Sequence, residues 1–466
     1  MLHSCGATRR SSHSVLRLQS HVQKRPNVVP GEGVSPSSVE ALTARRLDLP
    51  LPLNREDLER AQMAALRQTV IYVQAKSPWY RERLAGLDPA DLKTPADLTR
   101  LPLMSSTDVG EHGLRMVCAP QRDVARIITL QTSGSTGAPK RLHFTATDLE
   151  ATLDFFLHGM FSLVTPSDAV LALLPHAQPD STGDLLIRAL AKGGLRCQGM
   201  WPPENFAHCA DEIQCEGFTC VVGLPQHLLA LAHELPFGQV RTMLLCSDYA
   251  PPALRARIEA LCGCETFLHY GATETGLGGG VECAAHNGCH LRESELLVEI
   301  VSPKTGAPLA HGELGEVVVT TLGRQAMPLL RYRTGDLARL ATTACVCGGI
   351  TARLRDIRGR SPIITLSDGS ALSSQMLDDA LFAVDGLTDY RAAVVQNETL
   401  WLEIEFLSRP DHENTKTAIR LATEGIPSIA RALAMGHLQV ATRRVDFFSP
   451  SHTAKRTLLD KRGQVT

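Results

Sequence analysis

The sequence predicts an α/β protein: a large N-terminal part of parallel strands with crossover helices, a small antiparallel sheet after it, and a smaller α+β part at the C-terminal end. Three observations carry that expectation. Between about residues 125 and 270, short apolar and β-branched runs alternate with amphipathic helical stretches, as in a parallel sheet wound through helices. Two of those runs end in Gly-rich turns, and ligands of such sheets bind beyond the carboxyl ends of the strands. After about residue 294 the period changes to alternating strands joined by Gly- and Pro-containing turns. At 466 residues the chain is long enough for more than one domain.

The elements follow in order. Residues 1–38 carry Arg9, Arg10, Arg17, Lys24 and Arg25 among many Ser and His, with no acid before Glu32. They read as a disordered extension or an early start codon, with an organelle transit peptide as the other reading. The fold is expected to occupy 39–357 as a large domain and 358–466 as a small one. Leucines and alanines recur at helical spacing over Arg55–Val73, continued by Ser77–Leu84. Ala125–Leu130 reads as a strand, Thr147–Phe161 as a helix and Ala169–Leu174 as a strand. Then come strand Phe218–Val222, helix Pro225–Glu234, strand Arg241–Cys246, helix Pro251–Leu261 and strand Glu265–Tyr270. Leu296–Val301 and Gly315–Leu322 read as antiparallel strands, followed by the charged stretch Arg353–Arg360. The last part has strands near Ala392–Val395 and Leu402–Phe406, a helix over Glu413–Leu433 with Pro427 as its break point, and a strand over Leu438–Arg443.

Composition narrows the function. Hydrophobic residues at 44% and charged residues at 21% are ordinary globular values. With 47 Lys and Arg against 49 Asp and Glu, the formal net charge of −2 supplies no global positive field for nucleic acid or anionic membrane. No apolar run approaches the roughly 18 residues of a membrane span; the best stretch, Phe218–Leu235, carries Pro225, Gln226, His227 and His233. Thirteen cysteines are an odd count in a long chain, which suits reduced thiols and a cytoplasmic protein.

Three motifs carry chemistry. Thr132-Ser-Gly-Ser-Thr-Gly-Ala-Pro-Lys140 follows a strand. Its glycines admit an anion close to the backbone, its hydroxyls and amides surround it, and Lys140 adds charge. It lacks the Gly-Lys-Ser/Thr ending of nucleotide-hydrolase P-loops; a plain Gly/Ser loop is the alternative. Tyr270-Gly-Ala-Thr-Glu-Thr-Gly276 offers a ring to stack on a purine, a hydroxyl for a phosphate and a carboxylate for Mg2+. In Tyr332-Arg-Thr-Gly-Asp336, the aspartate after a tight turn can accept both hydroxyls of a ribose. An ordinary strand-end turn is the alternative for each of the last two.

In this order and spacing, the three resemble the adenylate-forming superfamily of acyl-CoA synthetases, peptide-synthetase adenylation domains and luciferase. Within it the chain looks most like the phenylacetate–CoA ligase family, whose N-terminal signature Ser77-Pro-Trp-Tyr-Arg-Glu-Arg83 and Leu101-Pro-Leu103 resemble. The resemblance covers about residues 39–462. It implies that Thr132, Ser133, Gly134, Ser135, Thr136, Gly137 and Lys140 hold the ATP phosphates. It places Tyr270 on adenine beside Gly271 and Ala272, Thr273 on the α-phosphate, Glu274 on Mg2+ and Asp336 on the ribose. Arg360 matches the hinge arginine, and Lys455 matches the lysine that bridges carboxylate and phosphate oxygens. Ser247, with Asp248, falls where the superfamily lines its adenine and acyl pocket.

The implied reaction is attack of a carboxylate on the α-phosphate of ATP, giving an acyl-adenylate and pyrophosphate, then thiolysis by coenzyme A after the small C-terminal domain rotates. The substrate implied is a small aryl or arylacetic acid. Two alternatives use the same residues: an enzyme passing the acyl group to a carrier-protein thiol or an amine, and an inactive nucleotide-binding or assembly subunit. A homodimer is left open. Departures from the family pattern are Ser361-Pro362 in place of an acidic pair after Gly-Arg, Thr365-Leu-Ser-Asp-Gly369 in a loop used in the second step, and Ala454 in place of a glycine.

A separate constellation is Cys283, His290, Cys345 and Cys347, the four N/S ligands of a closed tetrahedral Zn2+ site, with Cys289 or His286 as substitutes for His290. Related ligases of the resembled family carry a similar set; reduced surface thiols are the alternative. Among the remaining residues, His176 is either an acyl-pocket or a structural histidine. Gly278-Gly-Gly280 gives close backbone approach or a flexible turn. The basic run Arg443, Arg444, Lys455, Arg456, Lys461 and Arg462 is a solvated face or attracts a coenzyme A phosphate.

Overall fold

The computed structural model describes residues 37–130, 139–203, 205–359, 363–396, 399–409, 414–446, 448, 456 and 458–462. Helix α1 (Ser38–Leu47) opens the fold, capped by the Ser37 hydroxyl, which accepts from the Glu40 amide. Helices α2 (Arg55–Lys76) and α3 (Pro78–Arg83) divide what reads as one helical stretch. Ser77 takes extended backbone, φ −105° and ψ 122°, and Pro78 starts the second helix where its missing N–H costs nothing. Helix α4 (Ser106–Met116) follows.

Strands β1 (Val124–Leu130) and β2 (Lys140–Thr145) form an antiparallel hairpin of their own, with Leu130 opposite Lys140. The run around Ala125–Leu130 therefore does not join the parallel series. Its residues alternate between half-buried and exposed and include Arg126, whereas parallel strands covered on both faces are apolar throughout.

That second pattern holds for β3 (Ala169–Ala172), β5 (Cys220–Gly223) and β6 (Thr242–Leu245), all fully buried; β4 (Arg196–Gly199) is the half-exposed edge. Helix α5 (Ala146–Met160) precedes them. Helices α6 (Thr182–Lys192), α7 (Phe206–Glu216), α8 (Pro225–Ala232) and α9 (Pro252–Cys262) cross between successive strands to β7 (Glu265–Tyr270). The sheet then continues antiparallel through β8 (Gly280–Glu282), β9 (Cys289–Leu291), β10 (Leu296–Val301), β11 (Leu314–Thr321), β12 (Tyr332–Ala341) and β13 (Arg353–Arg358). Its order is β10-β11-β12-β13-β9-β8-β7-β6-β5-β3-β4, eleven strands in all. The antiparallel strands are thus hydrogen-bonded onto the parallel ones at β7, whose Tyr270 pairs with Gly280 of β8.

The last part has a small hairpin, β14 (Ile364–Thr365) and β15 (Ala371–Leu372), helix α10 (Ser374–Leu381), and a four-stranded sheet. That sheet comprises β16 (Leu387–Gln396), β17 (Leu400–Ser408), β18 (Gln439–Arg444) and β19 (Leu458–Asp460), in the order β18-β17-β16-β19. The expected long helix is two, α11 (Thr415–Glu424) and α12 (Pro427–Ala434), divided at Pro427. One apolar core joins this part to the parallel sheet's helices, with Leu228 and Ile258 in the same cluster as Leu377, Phe382 and Val394. Among the described residues no helix is long and apolar enough to cross a membrane.

Candidate active site

One residue from each chemical motif meets at a buried triangle. The Lys140 Nζ donates to Glu274 Oε1 at 2.5 Å and to the Tyr332 hydroxyl at 2.9 Å, and that hydroxyl donates to the same Glu274 oxygen at 2.9 Å. Lys140 ends the Thr132–Lys140 motif, Glu274 sits in the Tyr270 turn, and Tyr332 opens the motif that ends in Asp336. All three side chains are buried. The ammonium and the carboxylate therefore neutralise each other where neither could be left alone. The sequence reading assigned Lys140 and Glu274 separate tasks and gave Tyr332 none; a pair 134 positions apart has no local signal.

Tyr270 and Asp336 form a second link, the phenol donating to Asp336 Oδ2 at 3.1 Å. Asp336 is held by the bend before it: Gly335 has φ +78°, and the Asp336 amide donates to Thr334 Oγ1 at 3.0 Å. After Tyr270 the chain turns through Gly271, where a Cβ would lie 2.6 Å from the Leu277 carbonyl and 2.5 Å from the His269 ring, so only glycine passes. Thr273 begins the short 3-10 turn that carries Glu274.

Two cavities flank this turn. One, of about 260 Å³, is lined by Tyr270, Asp336, Asp248, Gly359 and Arg456. The other, of about 200 Å³, is apolar, with Phe155, Phe156, Met160, Leu186 and Leu244 in its wall. Ser247, Gly271 and Ala272 line both, and Thr273 lines the apolar one. Ser247 stands at the end of β6 with φ +70°, a backbone strain of the kind that gathers at functional sites. Of the successive β7 residues, Tyr270 points to Asp336 in the first cavity, and His269 is in the wall of both.

The end of the chain contributes Arg456. Its Nε donates to Asp378 Oδ1 at 2.8 Å, one terminal nitrogen to Gln226 Oε1 at 2.8 Å, and the other to the Tyr249 carbonyl at 2.7 Å. Its amide donates to Asp248 Oδ2 at 2.9 Å, and the guanidinium lies over Phe382. Burial alone would lower its pKa, but Asp378 and Asp248 raise it instead. Of the basic run read as a solvated face, Arg443, Arg444, Lys461 and Arg462 are exposed and Arg456 is not.

Thr132, Ser133, Gly134, Ser135, Thr136 and Gly137, together with Arg360 and Lys455, lie outside the described residues, as do Ser361-Pro362 and Ala454. His176 packs on Gly199, faces the Leu174 carbonyl at 3.2 Å and is not in the wall of the apolar cavity. Gly278 and Gly279 lie against Phe155 and Tyr270. His269 was missed; the period-two alternation opposite Tyr270 was the signal that could have found it.

Away from the cleft, the ligand atoms of Cys283, His290, Cys345 and Cys347 all lie within 4.8 Å of one another. Cys283 and Cys345 sulfurs are 3.8 Å apart, and Cys347 Sγ is 3.5 Å from His290 Nε2. His290 Nδ1 meets the Thr351 hydroxyl at 2.8 Å, which turns Nε2 toward the thiols. Burial opposes protonation of His290, but hydrogen bonds to Cys345 and Cys347 push it up to about 9, and Cys345 is held well below the usual thiol range by Cys283 and Cys347. The two substitutes are elsewhere: His286 is engaged by Glu282 and Glu265, and Cys289 faces the Leu268 carbonyl.

Residues 53–328 match the AMP-binding enzyme family. A phenylacetate–coenzyme A ligase of Thermus thermophilus is 30% identical over 74% of this chain and 80% of that ligase. One of Aromatoleum evansii is 28% identical over 70% and 76%. A 2-hydroxyisobutyryl-CoA ligase in the postadenylation state, in complex with R3-HIB-AMP, shares the fold at a TM-score of 0.73 and 19% identity, over 88% of this chain and 90% of that one. The meeting of the three motifs and these likenesses lead to one conclusion: the chain belongs to the AMP-binding enzyme family and is phenylacetate–CoA ligase-like.

Proposed function

We propose that the protein is an ATP-dependent, AMP-forming acid–CoA ligase for an aryl or arylacetic acid. The observation that carries this is the convergence of Lys140, Glu274 and Tyr332, one from each motif, beside a cleft where Tyr270 and Asp336 are already linked. The relatives named phenylacetate–coenzyme A ligase support coenzyme A as the acceptor.

In this reading ATP lies along the cleft, its purine on the Tyr270 ring and its ribose hydroxyls on Asp336. The acid enters the apolar cavity, and its carboxylate meets the α-phosphate at the shared wall of Ser247, Gly271, Ala272 and Thr273. A carboxylate oxygen attacks the α-phosphorus and pyrophosphate leaves; the coenzyme A thiol then attacks the acyl carbon and AMP leaves. Thr273 holds the α-phosphate, and the Thr132–Gly137 loop with Lys140 faces the departing phosphates. Lys455 supplies positive charge where the transition state gathers negative charge. Glu274 would hold Mg2+, since a carboxylate beside phosphate oxygens and water is what this cation takes, and the ion would neutralise phosphate charge. Residues 39–357 form the nucleotide-binding part and 358–466, with Arg360 at its start, the smaller part that brings Lys455. Zn2+ fits the four close N/S donors Cys283, His290, Cys345 and Cys347, a set with no open position and so a structural one.

The test is acid-dependent pyrophosphate exchange with aryl and arylacetic acids, followed by thioester formation on adding coenzyme A. Exchange lost in Lys455→Ala supports the assigned lysine. No exchange with any acid would overturn the proposal.

A further inference from the structure

We propose that the acid this enzyme activates has a single aromatic ring bearing a neutral hydroxyl, and that His269 recognises that hydroxyl. This rests on the ligase reading above and names the substrate class for it.

Size sets the first limit. The apolar cavity measures about 200 Å³. A cavity of roughly 150 Å³ lined by aliphatic and aromatic groups holds one benzene. The space here takes a ring with a short arm and excludes a long acyl chain.

Charge sets the second. Among the described residues, no Asp, Glu, Lys or Arg lines this cavity. A second carboxylate or an ammonium on the substrate would be stripped of water with nothing to offset it.

His269 sets the third. Its ring lines the cavity, with the Phe155 and Phe156 rings 6.3 and 6.4 Å away, centre to centre. Its Nε2 is shut off from solvent and has no hydrogen-bond partner among the described residues. Burial pushes the imidazole down to about 4, so it is neutral at pH 7. A neutral imidazole offers one donor and one acceptor, and a ring flip turns either edge to a ligand without changing the packed volume. A hydroxyl donates and accepts, so it satisfies whichever nitrogen it meets; a bare ring satisfies neither and leaves the cost of an unpaired polar group in place. Besides Thr273, the wall has Thr182, Ser247 and Cys246, whose thiol is already on the Gly223 carbonyl at 3.6 Å. Ser247 and Thr273 are at the carboxylate end, which leaves Thr182 as the rival partner.

The experiment measures AMP formation by the full chain, with ATP and coenzyme A, on phenylacetate, benzoate and the ring-hydroxylated isomers of each. One hydroxylated isomer should exceed its parent in kcat/KM by about tenfold, the worth of one net neutral hydrogen bond. His269→Leu should abolish that advantage, mainly through KM; His269→Asn should keep part of it; Thr182→Val should leave it. Parents used as well as every hydroxylated isomer would overturn the inference, and so would a preference that survives His269→Leu or disappears in Thr182→Val. If His269→Leu does not fold, the wild-type panel and His269→Asn still decide. AMP formation with none of these or any other acid overturns the ligase reading itself, a different failure from turnover without discrimination.

Discussion

Two polar clusters bring together side chains from distant parts of the chain and differ in how their charge is closed. At Lys140, Glu274 and Tyr332, an ammonium and a carboxylate 2.5 Å apart cancel, and the phenol bridges them. At Cys283, His290, Cys345 and Cys347, three thiols and an imidazole crowd within 4.8 Å. The first is balanced in charge by the chain's own groups. The second is a set of N and S groups of the kind that would suit a tetrahedral cation. Proximity of polar groups is common to both; what separates them is whether opposite charges face each other within the cluster.

The largest expected effect follows from that difference. Zinc bound at four such donors contributes on the order of 10 kcal/mol to folding. Elemental analysis should find about one zinc per chain, and chelation or Cys345→Ser should lower the melting temperature steeply. A metal-free protein of unchanged stability would erase the contrast. Next comes Lys140→Met, which takes the ammonium from the buried Glu274; a loss of about 3–5 kcal/mol in denaturant unfolding is expected. Adding Glu274→Gln should recover much of it, and a cycle with no coupling would show that the two charges do not neutralise each other. Tyr332→Phe removes a hydrogen bond to a charged group and should cost about 1.5–3 kcal/mol by the same measurement.

The smallest effect is in pH. Burial lowers the imidazoles of His227 and His269 to about 4 from 6.5. Between those values the unfolded chain takes up protons that the folded one refuses, so stability should fall as pH drops from about 6.5 to about 4 and then level off for these groups. Denaturant midpoints at pH 7 and pH 5 should draw closer in His269→Leu than in the wild type.

Much of the fold was legible because it rests on local periodicity. Buried runs such as Val170–Leu171 and Cys220–Val222 read as central parallel strands, and Pro427 marked the break between α11 and α12. The strand at Val124–Leu130 was legible as a strand but not in its pairing, since nothing local says that its partner is Lys140–Thr145 and not the main sheet. In the site, the turns at Tyr270 and Asp336 could be read from residue type and order. What could not be read is which side chains spend their charge on each other. Lys140 meets Glu274, and Arg456 meets Asp378 and Gln226, across long separations set only by the folded chain. Cys289, next to His290, stood as a substitute for it, and the alternation of β9 sends the two to different faces.

The placement of His269 and Tyr270 on one strand has an evolutionary consequence. Neighbouring positions of β7, one rise of about 3.3 Å apart, would in the proposed reading serve the acid at His269 and the nucleotide at Tyr270. Sliding this strand to suit a bulkier acid would also move Tyr270 and its link to Asp336. New acid preferences must therefore arise by exchanging side chains at position 269 and in the walls opposite, while the backbone between the two partners stays as a fixed ruler.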